Sequence, residues 1–133
     1  MSETSFSFTK LVVDDLAAIE LFYGDVFEMK RAHAVRADGH EYALDEVILT
    51  RPGAAQGHAL IITRYRKRPC PPTGAAWTGF VVSDLNKTLA AVHKAGGRIE
   101  VPTHDNPEHG VRAAIVSDPA GHLIEIIQMI PAR

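Results

Sequence analysis

The chain holds one cysteine, Cys70, in 133 residues, which excludes an internal disulfide and any zinc site built from thiolates. Cys70 lies in the Pro-rich stretch KRPCPPTG, with no helix start nearby to lower its pKa, so it reads as an incidental linker thiol. No apolar run exceeds a few residues, far short of the roughly 20 that cross a bilayer. Charge of one sign is lacking too. The net charge is −2, which gives no reason to expect a nucleic-acid or membrane partner. The opening MSETSFSFTK has no basic flank followed by an apolar region of the secretory kind, and a cytoplasmic location is expected. The seven histidines form no HxH or HExxH pattern. What is present is ordinary for a folded domain: 46% hydrophobic and 23% charged residues.

The informative feature is an internal repeat. TKLVVDDLAAIELFY (Thr9 to Tyr23) and TGFVVSDLNKTLAAV (Thr78 to Val92) align without a gap, with Asp15 and Asp84 equivalent. Each segment opens as an apolar strand, reaches an Asp suited to cap a helix, and continues with apolar residues at helical spacing. Leu16, Ile19, Phe22 and Tyr23 mark the first stripe; Leu85, Leu89 and Val92 mark the second. Strand-like stretches follow at about Met29 to Val35, Glu41 to Thr50 and Gly57 to Tyr65. In the second half they are Arg98 to Val101, Val111 to Ser117 and His122 to Ile130. RADGH, RPGAAQG and DPAG supply turns, and Gly96-Gly97 a helix stop. Each half is therefore β-α-β-β-β, an α+β pattern. We expect one domain over residues 1–133, with modules at about 6–66 and 75–130 and a linker at about 67–74.

In DPAGHLIEIIQ, strand alternation puts Ile124 and Ile126 on one face and Leu123, Glu125 and Ile127 on the other. The repeated strand-VxDL-helix opening and this DPxG-strand ending resemble the vicinal oxygen chelate superfamily. That group includes glyoxalase I, extradiol dioxygenases, methylmalonyl-CoA epimerase and the fosfomycin- and bleomycin-resistance proteins. The resemblance implies two βαβββ modules forming a curved mixed sheet around a cleft, and a homodimer. It also implies metal ligands on four strands, where a Lewis acid polarises a substrate that chelates through two oxygens.

Carried over by position, those ligand places are Phe8, Ile61 (by looser alignment), Trp77 and Glu125. One carboxylate among three apolar side chains does not hold a divalent metal, so no cofactor is expected. His58 falls on the face opposite Ile61, while His104 and His109 share the loop PTHDNPEHG with Asp105 and Glu108, a weak cluster. His122 reads as structural. An aromatic cleft suits a small organic ligand, with Phe8, Ile61, Trp77, Glu125, Tyr42 and Tyr65 as the expected lining and Arg64 beside them. Glu125 has three readings: a hydrogen-bond acceptor for a cationic or polar ligand, a general base for proton abstraction beside a carbonyl, or a structural partner of Arg112 or a tyrosine. The alternative to a binding protein is a lyase, isomerase or dioxygenase-type enzyme that uses Glu125 or a nonstandard metal site. The run Arg64-Tyr65-Arg66-Lys67-Arg68 reads as a solvated surface, with anion binding the alternative.

Overall fold

The structure, a computed structural model, describes residues 4–53 and 58–131. The chain divides into two compact units, Met1–Gly24 with Glu28–Pro71, and Asp25–Phe27 with Pro72–Arg133. The elements run β1 (Phe8–Val12), α1 (Leu16–Phe27), β2 (Lys30–Ala37), β3 (Leu44–Thr50) and β4 (Ala59–Tyr65). The second half follows with β5 (Trp77–Val81), α2 (Leu85–Lys94), β6 (Arg98–Asn106), β7 (Val111–Ser117) and β8 (Leu123–Met129). The first sheet has the order β1-β4-β3-β2 and the second β5-β8-β7-β6. In each, the opening strand pairs in parallel with the last, and the other neighbours are antiparallel. The repeat in the sequence is thus a repeat of topology.

Local chemistry sets the helix ends. Asp15 Oδ1 accepts from Ala18 N and Asp84 Oδ1 from Lys87 N, both at 3.1 Å, which satisfies backbone donors that the first helical turn leaves open. The second helix stops at Gly96, whose φ of 89° is available to a residue without Cβ. The first stops instead at Glu28, a left-handed residue at φ 59°, with its N–H donating to Gly24 O.

The helix side of each sheet is buried. Leu11, Val47, Leu49, Leu60 and Ile62 are buried in the first unit, together with Ile19, Phe22 and Tyr23 of α1. The ion pair of Arg31 with Glu20, at 2.6 Å, ties β2 to that helix. In the second unit, α2 packs on β6, β7 and β8, and Leu85, Leu89 and Val92 join Ala114, Val116, Ile124 and Ile126 in the core. No helix among the described residues is long and apolar enough to cross a membrane.

Two sequence expectations are corrected. Strand β6 does not stop at Val101 but continues to Asn106, through residues expected to be loop. It is an edge strand, where Pro102 need not supply a ladder N–H, and its register is irregular between Ile99 and Val101 and again before His104. Strand β3 begins at Leu44 rather than Glu41, because Glu41 and Tyr42 lie in the preceding turn. Gly57, expected to open β4, and part of the RPGAAQG turn lie outside the described residues.

Candidate functional site

The faces turned away from the helices carry the chemistry. In the second sheet, Trp77, Gly79 and Val81 of β5 stand opposite Leu123, Glu125 and Ile127 of β8. Ser117, Ile115 and Ala113 of β7 complete the row. Paired residues share a face, so Glu125 lies between Gly79 and Ile115, with Trp77 on the diagonal. Trp77 is 51% exposed and Glu125 is half-buried. Gly79 has no side chain, which leaves a notch against Glu125, bounded along β5 by Trp77 and Val81. Among the described residues, no hydrogen bond or ion pair reaches the Glu125 carboxylate. The structural pairing with Arg112 is overturned. Register sets Arg112 opposite Gln128, on the helix side of the sheet, where its Nε donates to Asp105 Oδ1 at 2.7 Å.

In the first sheet, Phe8 and Lys10 of β1 stand opposite Ala59 and Ile61 of β4. This register makes Phe8 the counterpart of Trp77, and Ile61 the counterpart of Glu125. Phe8 is 52% exposed, whereas Ile61 is only 5% exposed. Tyr65 shares the face with Ile61, and its ring lies 6.1 Å from that of Tyr42, over which Arg68 sits at 4.3 Å. Sequence reasoning missed two residues here. Glu46 of β3 is 8% exposed and accepts from Thr63 Oγ1 at 3.0 Å, while Lys10 Nζ reaches its Oε1 at 3.0 Å. Strand alternation from Phe8 would have found Lys10, but Glu46 sits in an otherwise apolar strand and needs the register to be placed.

The remaining groups are engaged elsewhere. His58 Nε2 lies 2.8 Å from Thr9 Oγ1, on the helix side. His104 sits within β6 and His109 in the short 3-10 turn Pro107–His109, while Asp105 pairs with Arg112, so these residues form no metal-binding cluster among the described residues. His122 is buried, with Nδ1 2.9 Å from Asp118 Oδ2. The three arginines of the basic run are paired with carboxylates. Arg64 pairs with Asp45 at 2.8 Å, Arg66 with Asp38 and Asp45, and Arg68 with Glu41 at 3.9 Å. The Arg66 hydrogen bond holds the Asp38 carboxyl below the usual carboxylate range. Burial, aided by the Asp14 charge, pushes the Cys70 thiol up, away from nucleophilic reactivity.

A metal at the four family positions does not fit these side chains, because three of them have no donor atom. Among the described residues no three His, Cys, Asp or Glu gather elsewhere as a metal group. A depression of about 400 Å³, lined by Gly96, Arg98, Glu100, Ser117, Asp118 and Leu123, lies at the turn before β8 and excludes Trp77 and Glu125. Its floor is turn backbone and paired polar groups, so we place the candidate site on the open sheet face instead.

A family model described as the Glyoxalase/Bleomycin resistance protein/Dioxygenase superfamily matches residues 5–126. A comparison with curated proteins gave no match. Among solved structures, a glyoxalase I variant from Zea mays superposes with a TM-score of 0.75 at 19% identity, covering 95% of this chain and 46% of that one. TioX from a Micromonospora species gives 0.66 at 23% identity, over 96% and 100%. The fosfomycin resistance protein FosX from Listeria monocytogenes gives 0.70 at 15% identity, over 95% and 93%. At these identities the likeness is one of fold.

Proposed function

Because the chain belongs to the Glyoxalase/Bleomycin resistance protein/Dioxygenase superfamily, we propose that it binds a small aromatic or polar organic molecule on its helix-free sheet surface, without the family's standard metal site. The observation that carries this reading is the pairing of a half-exposed indole, Trp77, with the Gly79 notch and the carboxylate of Glu125 on one face. The ring offers a stacking surface, the notch offers room, and Glu125 accepts a hydrogen bond or meets a cation. The family description includes bleomycin resistance and one neighbour is a fosfomycin resistance protein, so drug-like molecules are the first class to test.

Trp77 is the only tryptophan, so its emission reports on this face alone. A screen of aromatic and cationic compounds should find ligands that quench Trp77 and raise the melting temperature together. A screen in which neither signal moves defeats the proposal. Elemental analysis checks the other half: one divalent metal per chain that disappears in Glu125→Ala contradicts the donor count.

A second reading, a lyase- or isomerase-like enzyme, draws on the same unpaired carboxylate, which is free to act as a base. It requires turnover that Glu125→Gln abolishes while ligand binding survives. A cytoplasmic homodimer belongs to the proposal as well, and light scattering of the eluted protein tests the dimer.

A further inference from the structure

We infer that Lys10, fixed by Glu46, is an anchor for the carbonyl oxygen of an aromatic amide or ketone on the helix-free face of the first sheet. This deepens the small-molecule reading and rests on it. The strand order β1-β4-β3 places Lys10 and Glu46 on opposite sides of β4, so their 3.0 Å contact arches over that strand. Ile61 and Thr63 lie in β4 beneath it, both buried, and Thr63 Oγ1 holds Glu46 from below at 3.0 Å. A carboxylate 8% exposed is costly to desolvate, and an apolar pair of similar size is often as stable or more so. Stability alone therefore does not account for this pair. What the pair does is fix an ammonium at a defined place.

That ammonium has three N–H donors and, among the described residues, a single ion-pair partner, Glu46 Oε1. The Lys10 side chain is 39% exposed, so a ligand can reach it from solvent. Phe8, exposed on the same strand face, has its ring centroid 6.0 Å from Nζ. One planar molecule can thus lie on the ring and offer an oxygen to the ammonium. The neighbouring cations of this sheet, Arg64, Arg66 and Arg68, are each engaged by carboxylates. Glu46 decides the class of oxygen. It already balances the Lys10 charge and repels a second carboxylate, so a neutral carbonyl is preferred over an anion.

The test is calorimetric titration with naphthamide, naphthoate and methylnaphthalene, which share a ring and differ in the group offered to Lys10. The wild-type protein should bind naphthamide about tenfold more tightly than either of the others, the scale of one hydrogen bond to a charged group. The double variant Lys10→Met/Glu46→Met replaces the pair with apolar chains of similar length and keeps no buried charge, so it should fold. In it, naphthamide should fall to the affinity of methylnaphthalene, which itself is unchanged. Equal binding of all three by the wild type, or a preference that survives in the double variant, overturns the anchor and leaves the small-molecule reading standing. Binding of none of the three, together with an empty screen at Trp77, overturns both.

Discussion

The two sheets have one topology and two different helix-free faces. In the first, a carboxylate is buried, paired and roofed by a lysine: Glu46 with Lys10 and Thr63. In the second, a carboxylate stands half-buried with no partner among the described residues, beside a glycine and an exposed tryptophan. The helix-bearing faces do not differ in this way; both are closed apolar cores. A repeated module keeps the surface that folds it and varies the surface that does not, which is why a shared fold leaves the function open.

The conserved half of that contrast gives the largest expected effect. Ile62 and Ile126 are counterparts by strand register, and both are fully buried on the helix side. Truncating either to alanine removes the same methylenes from an equivalent core, at about 3 kcal/mol each, measured as a fall in urea midpoint. Costs differing by more than about 2 kcal/mol would show that the two cores are not equivalent.

The two carboxylates give the next effect, and it should differ in sign. Lys10→Met strands Glu46 in the sheet and should destabilise by about 2 kcal/mol, below the usual range for breaking a buried pair because the lysine is partly exposed. Glu125→Met removes a lone carboxylate from among aliphatic neighbours and should be neutral or stabilising by about 0.5 kcal/mol, while ligand quenching of Trp77 is lost. Stability gained as binding is lost is the signature of a residue kept for function. A destabilised Glu125→Met would mean that Glu125 serves the fold instead.

How much of this was legible beforehand follows from the distance over which each feature is encoded. The caps at Asp15 and Asp84 and the alternation in β8 are local, and both stand in the structure as the sequence implied. The place of Ile61, uncertain by alignment, is fixed by the parallel register with β1, which only the assembled sheet shows. Glu46 was invisible for the same reason: its partners Lys10 and Thr63 come from two other strands. Strand β6 was cut short because Pro102 and Asn106 are turn-forming residues, and an edge strand tolerates what a central one does not.

A smaller effect probes the notch. The backbone of Gly79 is not in the left-handed region, and a Cβ there would meet Glu125 O at 3.8 Å, an ordinary contact. Gly79→Val should therefore stabilise the second sheet by about 0.5 kcal/mol, since an interior strand glycine is entropically unfavourable. It should also abolish ligand quenching of Trp77 by filling the space beside Glu125. Quenching that survives the valine would move the ligand off this face.

The smallest effect separates the rims of the sheets. Strand β4 leads into Arg64-Tyr65-Arg66 and its acidic partners, whereas β8 ends in the uncharged Gln128-Met129-Ile130. The Asp38 carboxyl is lowered chiefly by its hydrogen bond from Arg66; desolvation opposes this, and the charges of Arg66, Arg36 and Lys67 lower it further. A folded value below the unfolded one means that the native state favours the ionised form. The resulting stabilisation is complete above the unfolded carboxylate value of about 3.9 and fades as pH falls through the lower, folded value. Asp38→Asn should thus lower the urea midpoint slightly at neutral pH, less so at high salt, because Asp38 is exposed and its charge is screened. In acid, once Asp38 is protonated in both states, wild type and variant should converge. A difference that persisted there would show that asparagine disturbs the packing of the β2–β3 turn rather than its charge, and the rim would cease to distinguish the two sheets.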